Sequence, residues 1–283
     1  MNTVKETVHI GGITIHVYQA QSTAASSCPL VAFFLLHGRY GSAIAIDNIA
    51  KRVVDLTKDC LQQNLLVITF DHRNHGTRMV NAKANDAWST EHDRHNERHA
   101  VDMYSIQSGT ARDVSFVIDF LPAYLYPMGD RAIVEWGVAG ISLGGHSTWL
   151  SLTKDKRIKT GIPIIGCADY IKLIEERAQR SKIPNTPPYF PVSFLALVKQ
   201  SDPLSTPYDI PDESNPFWGK NILVLSGEAD RLVPWSASEE FVKKLQVGPG
   251  MKKISVHKDV GHECTEQMVE EMATFIKEVV LDK

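Results

Sequence analysis

Three side chains of complementary chemistry are spread along this 283-residue chain: Ser142, Asp230 and His262. Ser142 sits in Gly140-Ile141-Ser142-Leu143-Gly144-Gly145, a G-x-S-x-G run. A serine hydroxyl is a poor nucleophile at neutral pH and needs a base within about 2.6–3.2 Å. Imidazole titrates near pH 6.5, so His262 can take a proton and return it. A buried carboxylate beside the imidazole would fix its tautomer and stabilise the imidazolium. Asp230 is the first choice for that acid. It lies late in Gly227-Glu228-Ala229-Asp230-Arg231-Leu232-Val233-Pro234, nearer His262, and Glu228 is the rival two residues earlier. Together the three groups suit two-step acyl transfer: attack on a carbonyl, departure of the leaving group, then release by water.

Such a reaction also needs amide donors for the oxyanion, each worth about 2.7–4 kcal/mol of transition-state stabilisation. One should be the amide of Leu143, directly after the nucleophile. The other should come from His37-Gly38-Arg39-Tyr40-Gly41, where two glycines permit a bend that turns N–H groups inward. The amide of Arg39 is the first choice there, with Tyr40 as the alternative.

These residues must be carried to one place by the elements between them. Leu30–Leu36, Leu65–Phe70, Ile133–Ala139, Ile162–Cys167, Ile222–Leu225 and the short Ile254–Val256 are continuous apolar runs. Runs without alternation suit strands of a parallel sheet covered on both faces. Val4–Tyr18, broken by Gly11-Gly12, reads as a β-hairpin. Helical patterns lie between the runs. Ile46–Leu56 is amphipathic, and His146–Leu152 follows the serine. Thr110–Leu121 opens on a capping box of Thr110 with Asp113. Ser236 and Glu239 offer another before Phe241–Leu245. Met268, Val269, Met272, Phe275, Ile276, Val279 and Val280 mark one face of a last helix. Alternating strands and helices imply a doubly wound sheet. A serine held on a strand-to-helix turn takes strained backbone angles, and its neighbours must be small. Asp230 and His262 each follow a strand, which brings them to the same edge. Two polar segments interrupt the rhythm: residues 74–107, rich in histidine, and residues 169–217, rich in proline. The second is expected to be a cap over the strand ends, inserted in a single domain.

Composition narrows the field. With 43% hydrophobic and 22% charged residues the chain can bury an ordinary core. A net charge of −3 gives no reason to expect nucleic acid or an anionic membrane as partner. The polar stretch Met1 to His9 has no apolar h-region, and no window reaches 18 apolar residues. The four cysteines match no zinc framework, which favours free thiols in a reducing compartment. The cytosol is the expected location.

From about Leu30 onward the chain resembles the α/β-hydrolase superfamily, above all its esterase, dienelactone-hydrolase and prolyl-oligopeptidase-like branch. The matching segments, in order, are His37–Gly41, Phe70–Gly76 (FDHRNHG), Gly140–Gly145, Gly227–Pro234 and Val260–His262. The order Ser, Asp, His is the one such enzymes use. The resemblance implies an eight-stranded, mostly parallel sheet flanked by helices, and acyl transfer without a cofactor. It leaves the substrate open. A small to medium carboxylic ester is the first expectation, then thioesters and lactones. A peptidase or amidase is the alternative, although this length leaves no room for the propeller of prolyl oligopeptidases. A ligand-binding protein on a hydrolase scaffold is a third reading, disfavoured because all three positions are filled.

Other residues carry a sharp reading and a bland one. His92, His95 and His99 would share a face if their segment were helical and could then ligate zinc. A solvated, charged insertion is the preferred reading, so no metal is expected. His72 and His75 are expected to tie a loop together, and His146 to sit behind Ser142. The Arg39 side chain either binds a substrate carboxylate or is solvated. Tyr40, Tyr189, Phe190 and Phe194 are candidates for the substrate pocket. Packing of the cap onto the core is the competing reading for the last three and for Trp88.

Overall fold

The computed structural model describes residues 3–21, 28–60 and 62–282, so Met1 and Asn2 of the polar N-terminal stretch lie outside it. The strands are β1 (Thr3–Ile10), β2 (Ile13–Ala20), β3 (Leu30–Leu36), β4 (Asn64–Phe70), β5 (Ile133–Ile141), β6 (Ile158–Ile164), β7 (Asn221–Gly227) and β8 (Lys252–His257). The helices are α1 (Asp47–Thr57), α2 (His99–Leu125), α3 (Leu143–Lys154), α4 (Tyr170–Arg180), α5 (Val192–Ser201), α6 (Trp235–Lys244) and α7 (Glu266–Ile276). The eight strands form one sheet in the order β1-β2-β4-β3-β5-β6-β7-β8. β2 runs antiparallel to β1 and β4, and every pairing from β4 to β8 is parallel. Gly11 and Gly12 turn the β1–β2 hairpin with φ of 55° and 83°, a left-handed pair that glycine adopts at little cost.

The apolar runs bury both faces of the sheet. Along β3, Leu30, Ala32, Phe34 and Leu36 enter one core, with Val114, Val117, Ile118 and Leu121 of α2, Trp149 of α3 and Phe241 of α6. Val31, Phe33 and Leu35 enter the other, with Val53 and Val54 of α1 and Met268, Met272 and Phe275 of α7. The two-residue period of a strand sends neighbours to opposite faces, so a run with no polar gap is what a covered strand requires. Phe34 is fully buried between Phe70 and Trp136, and its truncation to alanine would cost about 3–5 kcal/mol.

The chain leaves β3 toward β4 on one side and returns to β5 on the other. That reversal opens a crevice at the carboxyl ends of β3 and β5, where ligands of open α/β sheets bind. His37–Gly41 and Ser142 both follow strands into this crevice.

Local signals misplace several boundaries. α2 begins at His99, and Thr110 is buried in its middle rather than capping it. The first turns of α2 pack Ala100, Met103, Tyr104 and Ile106 into a third core with α4 and α5, and tertiary packing supplies what the polar sequence hides. α6 is preceded by Pro234, without a side-chain cap from Ser236. β6 begins at Ile158, and Ile165 to Cys167 already belong to the following loop, with Ile165 at φ 44°. Residues 169–217 do fall between β6 and β7 and supply α4 and α5. Cys60, Cys167 and Cys264 form no disulfide. No helix among the described residues is long and apolar enough to cross a membrane.

Candidate functional site

β5 ends in a turn so tight that Ser142 takes φ 54° and ψ −108° before α3 begins. A Cβ on Gly140 would lie 2.3 Å from the backbone of Gly144, and one on Gly144 would lie 2.4 Å from the Leu36 carbonyl oxygen. Both distances are inside van der Waals contact, so this crossing of β3, β5 and α3 excludes any larger residue. The turn is fixed by two amides: Ser142 N–H donates to Ile164 O at 2.8 Å, and Gly144 N–H to His37 O at 3.1 Å. The Leu143 amide between them meets no acceptor among the described residues. In the loop after β3, Gly41 N–H closes onto Gly38 O at 3.0 Å, and the amides of Arg39 and Tyr40 likewise meet no described acceptor. Tyr40 holds φ 63°.

The other two groups arrive on the loops after β7 and β8. His262 Nε2 lies 2.8 Å from Ser142 Oγ, and its Nδ1 lies 2.7 Å from Asp230 Oδ2. The other carboxylate oxygen accepts from the amides of Leu232 at 2.8 Å and Val233 at 2.9 Å. Burial alone would raise the Asp230 pKa. The His262 hydrogen bond and these two amides outweigh it, and the carboxyl is held below its usual value. Glu228 is exposed, and its carboxylate meets the Asp259 amide instead of the imidazole. Hydroxyl, imidazole and carboxylate thus form a continuous hydrogen-bonded row from a solvent-accessible cleft to a buried anchor.

The cleft beside Ser142 has a volume of about 280 Å³. Arg39, Tyr40, Ile141, Ile165, Leu232 and Glu263 are among its walls. Tyr40 donates its hydroxyl to Asp86 Oδ1 at 3.0 Å. Tyr189, Phe190 and Phe194 do not line this cleft. Phe190 and Phe194 are buried in the third core with Trp88, Leu143 and Tyr170, and Tyr189 packs against it. Their apolar surface holds residues 169–217 onto α2 and α3, which corrects the expectation of a pocket role. Glu263 and Cys264, which follow His262 directly and also line the cleft, escape sequence reasoning although their adjacency points to them. Ile165 has no such signal, because its place depends on where β6 ends.

The remaining histidines are tied to structure. His37 Nδ1 lies 2.8 Å from Gly38 O, while its Nε2 accepts the His72 amide at 3.0 Å, so the ring is neutral. Burial holds it down to about 4. The rings of His37 and His72 stack at 4.0 Å, and His75 tilts against His37. Asp71 anchors this loop by accepting from the amides of Ala43 and Thr77. Arg73 and Arg78 fix it to Asp113 of α2. His146 meets the Cys167 amide, and burial holds it down to about 4. The histidine-rich stretch is not helical through His95. His92 is fully exposed, His95 pairs with the Ser89 backbone, and His99 lies buried against Asp86 O and Arg177. Among the described residues no three metal-ligating side chains come together.

The same architecture recurs among solved structures. The protein TT1662 from Thermus thermophilus matches with a TM-score of 0.67 at 18% identity, over 98% of each chain. A hyperthermophilic esterase from the archaeon Pyrobaculum calidifontis matches at 0.59 and 16% identity, over 99% of this chain and 86% of its own. Est1E from Butyrivibrio proteoclasticus, solved with ferulic acid bound, matches at 0.57 and 17% identity, over 98% of each. The chain has the α/β-hydrolase fold. No protein-family model matches it, and no curated protein does. At these identities the likeness concerns the fold.

Proposed function

We propose that this α/β-hydrolase-fold protein is a serine hydrolase that cleaves carboxylic esters of small to medium size. The observation that carries the reading is the row Ser142 Oγ, His262 Nε2, Asp230 Oδ2, with spacings of 2.8 and 2.7 Å. Ser142 attacks the carbonyl while His262 takes its proton. Asp230, anchored by two amides, holds the imidazole and stabilises the imidazolium. The oxyanion is received by the Leu143 amide and by the amide of Arg39 or Tyr40. The imidazolium then protonates the leaving alcohol, and water activated by the same base releases the acyl-enzyme. Several structurally similar proteins are esterases, which supports ester over amide substrates. Residues 169–217 act as a cap packed on α2 and α3. The free thiols of Cys60, Cys167 and Cys264 support a reducing compartment.

The test is covalent labelling of intact protein by a fluorophosphonate, alongside hydrolysis of 4-nitrophenyl esters of graded acyl length. Labelling at Ser142 and turnover lost in Ser142→Ala are expected. A wild-type protein that forms no adduct near pH 8 and cleaves none of the esters would refute the reading.

A further inference from the structure

Four of the buried aspartates among the described residues, Asp71, Asp113, Asp155 and Asp230, have both carboxylate oxygens engaged by arginines, by His262 or by backbone amides. Asp202 is the exception. It is 5% exposed, and its Oδ2 accepts the Tyr170 amide at 2.9 Å. Its Oδ1 accepts no hydrogen bond from the described residues. No cationic side chain among them lies within 4.0 Å of it, and Lys154 acts on it only from farther away. A buried carboxylate in this condition is costly and calls for a partner.

The free oxygen opens on a groove of about 870 Å³ between α4 and the end of α5. This groove shares no residue with the Ser142 cleft, and its volume is that of a small-molecule site. Ile171, Ile183, Val198 and Leu204 give it apolar walls. Asp169 also lines it, and stands beside Asp202 because Asp202 holds the amide of the next residue, Tyr170. Asp169 Oδ1 accepts the Lys172 amide at 3.0 Å, and its other oxygen is free. Capping α4 therefore uses one oxygen of each aspartate and leaves the second. Glu175 and Glu176 add negative charge on the α4 side. Of the two lysines in the walls, Lys172 donates to the Ser236 carbonyl at 2.8 Å, and Lys199 forms no ion pair among the described residues. Burial raises both aspartate carboxyls, that of Asp202 to about 8, as expected where the counter-ion is wanting. No three metal-ligating side chains come together among the described residues, and the walls are apolar, which points to an organic cation rather than a metal ion.

We propose that this groove is a second binding site, for an organic ammonium that carries an apolar chain. The ammonium donates to Asp202 Oδ1 and to the free oxygen of Asp169. The chain lies along Ile171, Ile183, Val198 and Leu204. A primary ammonium has three N–H donors on a compact charge, so it can serve both carboxylates at once. The site stands apart from hydrolysis at Ser142, and its occupant undergoes no bond breaking there.

Titration calorimetry of the whole protein with hexylammonium chloride and with hexan-1-ol tests the idea. The two probes match in length and differ in charge. Hexylammonium should bind with a Kd of about 0.1–1 mM, the affinity open to a well-held ligand of this size, and hexan-1-ol about tenfold or more weaker. Asp202→Asn keeps an oxygen for the Tyr170 amide and removes the charge, so it should weaken hexylammonium by about tenfold or more. Leu204→Arg changes an exposed wall residue, sets a competing cation in the groove, and should weaken it likewise. This second variant decides the matter should Asp202→Asn fail to fold. Hexylammonium binding no tighter than hexan-1-ol would overturn the proposal. So would wild-type affinity in folded Asp202→Asn or in Leu204→Arg, which would place the ammonium elsewhere on the protein. None of these results bears on Ser142, so the groove and the hydrolase reading stand or fall separately.

Discussion

Two sets of histidines lie near the carboxyl edge of the same sheet and behave in opposite ways. His262 is partly exposed, bridges a hydroxyl and a buried carboxylate, and sits on a loop between the two. His37 and His72 are sealed in the turn region after β3 and β4, stacked on each other and held neutral. The ring is the same, and the surroundings assign the role. An imidazole that must gain a proton needs a carboxylate behind it and an open face in front. One that is buried and receives a backbone N–H cannot be charged without breaking the loop.

The largest expected effect breaks the first set. Ser142→Ala, or His262→Ala, should cut ester kcat by about 10⁶-fold with an unchanged circular dichroism spectrum. Wild-type rates in either would dissolve the distinction between the two sets. Asp230→Asn keeps the shape but favours the wrong imidazole tautomer, and a loss of about 10⁴-fold in kcat is expected. Steady-state kinetics at saturating substrate decide this, and a loss under tenfold would remove Asp230 from the row.

The second set should speak through stability. An unfolded histidine takes a proton near pH 6.5, whereas burial lowers the His72 value well below that and the His37 value to about 4. Below pH 6.5 the unfolded chain therefore binds more protons than the native one. The stabilising contribution is full above that pH and is lost as pH falls toward the native values. His72 offers its ring nitrogens to no partner, so His72→Leu sacrifices no ring hydrogen bond. The variant should flatten the pH dependence of unfolding free energy below pH 6.5 by about 1.4 kcal/mol per pH unit, the slope of one proton. Urea titrations from pH 7 to 5 measure it, and an unchanged slope would mean that His72 is protonated in the native protein. The smallest effect is Glu228→Gln, an exposed residue off the row, for which kcat should stay within about threefold of wild type. A larger loss than that of Asp230→Asn would exchange the two acids.

Much of the site was legible because its parts are local. The strands that matter end where their apolar runs end: β3 spans Leu30–Leu36 as read, and β5 runs straight into the Gly140–Gly145 turn. Gly140 and Gly144 announce a crossing too close for a side chain. Asp230 stands late in its loop, and it is Asp230 rather than the earlier Glu228 that meets the imidazole. The start of α2 was not legible, because its first two turns are masked by polar residues whose apolar neighbours pack on a segment some 70 to 90 positions away. The aromatic residues of 169–217 gave the same difficulty: an apolar ring in a cap reads alike whether it faces substrate or core.

The sequence by itself determined where the hydroxyl, the carboxylate and the imidazole of the row stand relative to the strands, and in which order they come. Backbone sterics and strand period act over a few residues, and any chain with these runs must obey them. Only the tertiary structure decided which rings the cap buries and that His92, His95 and His99 part company. Those outcomes depend on distances between remote segments, set by how the cores pack rather than by any local pattern.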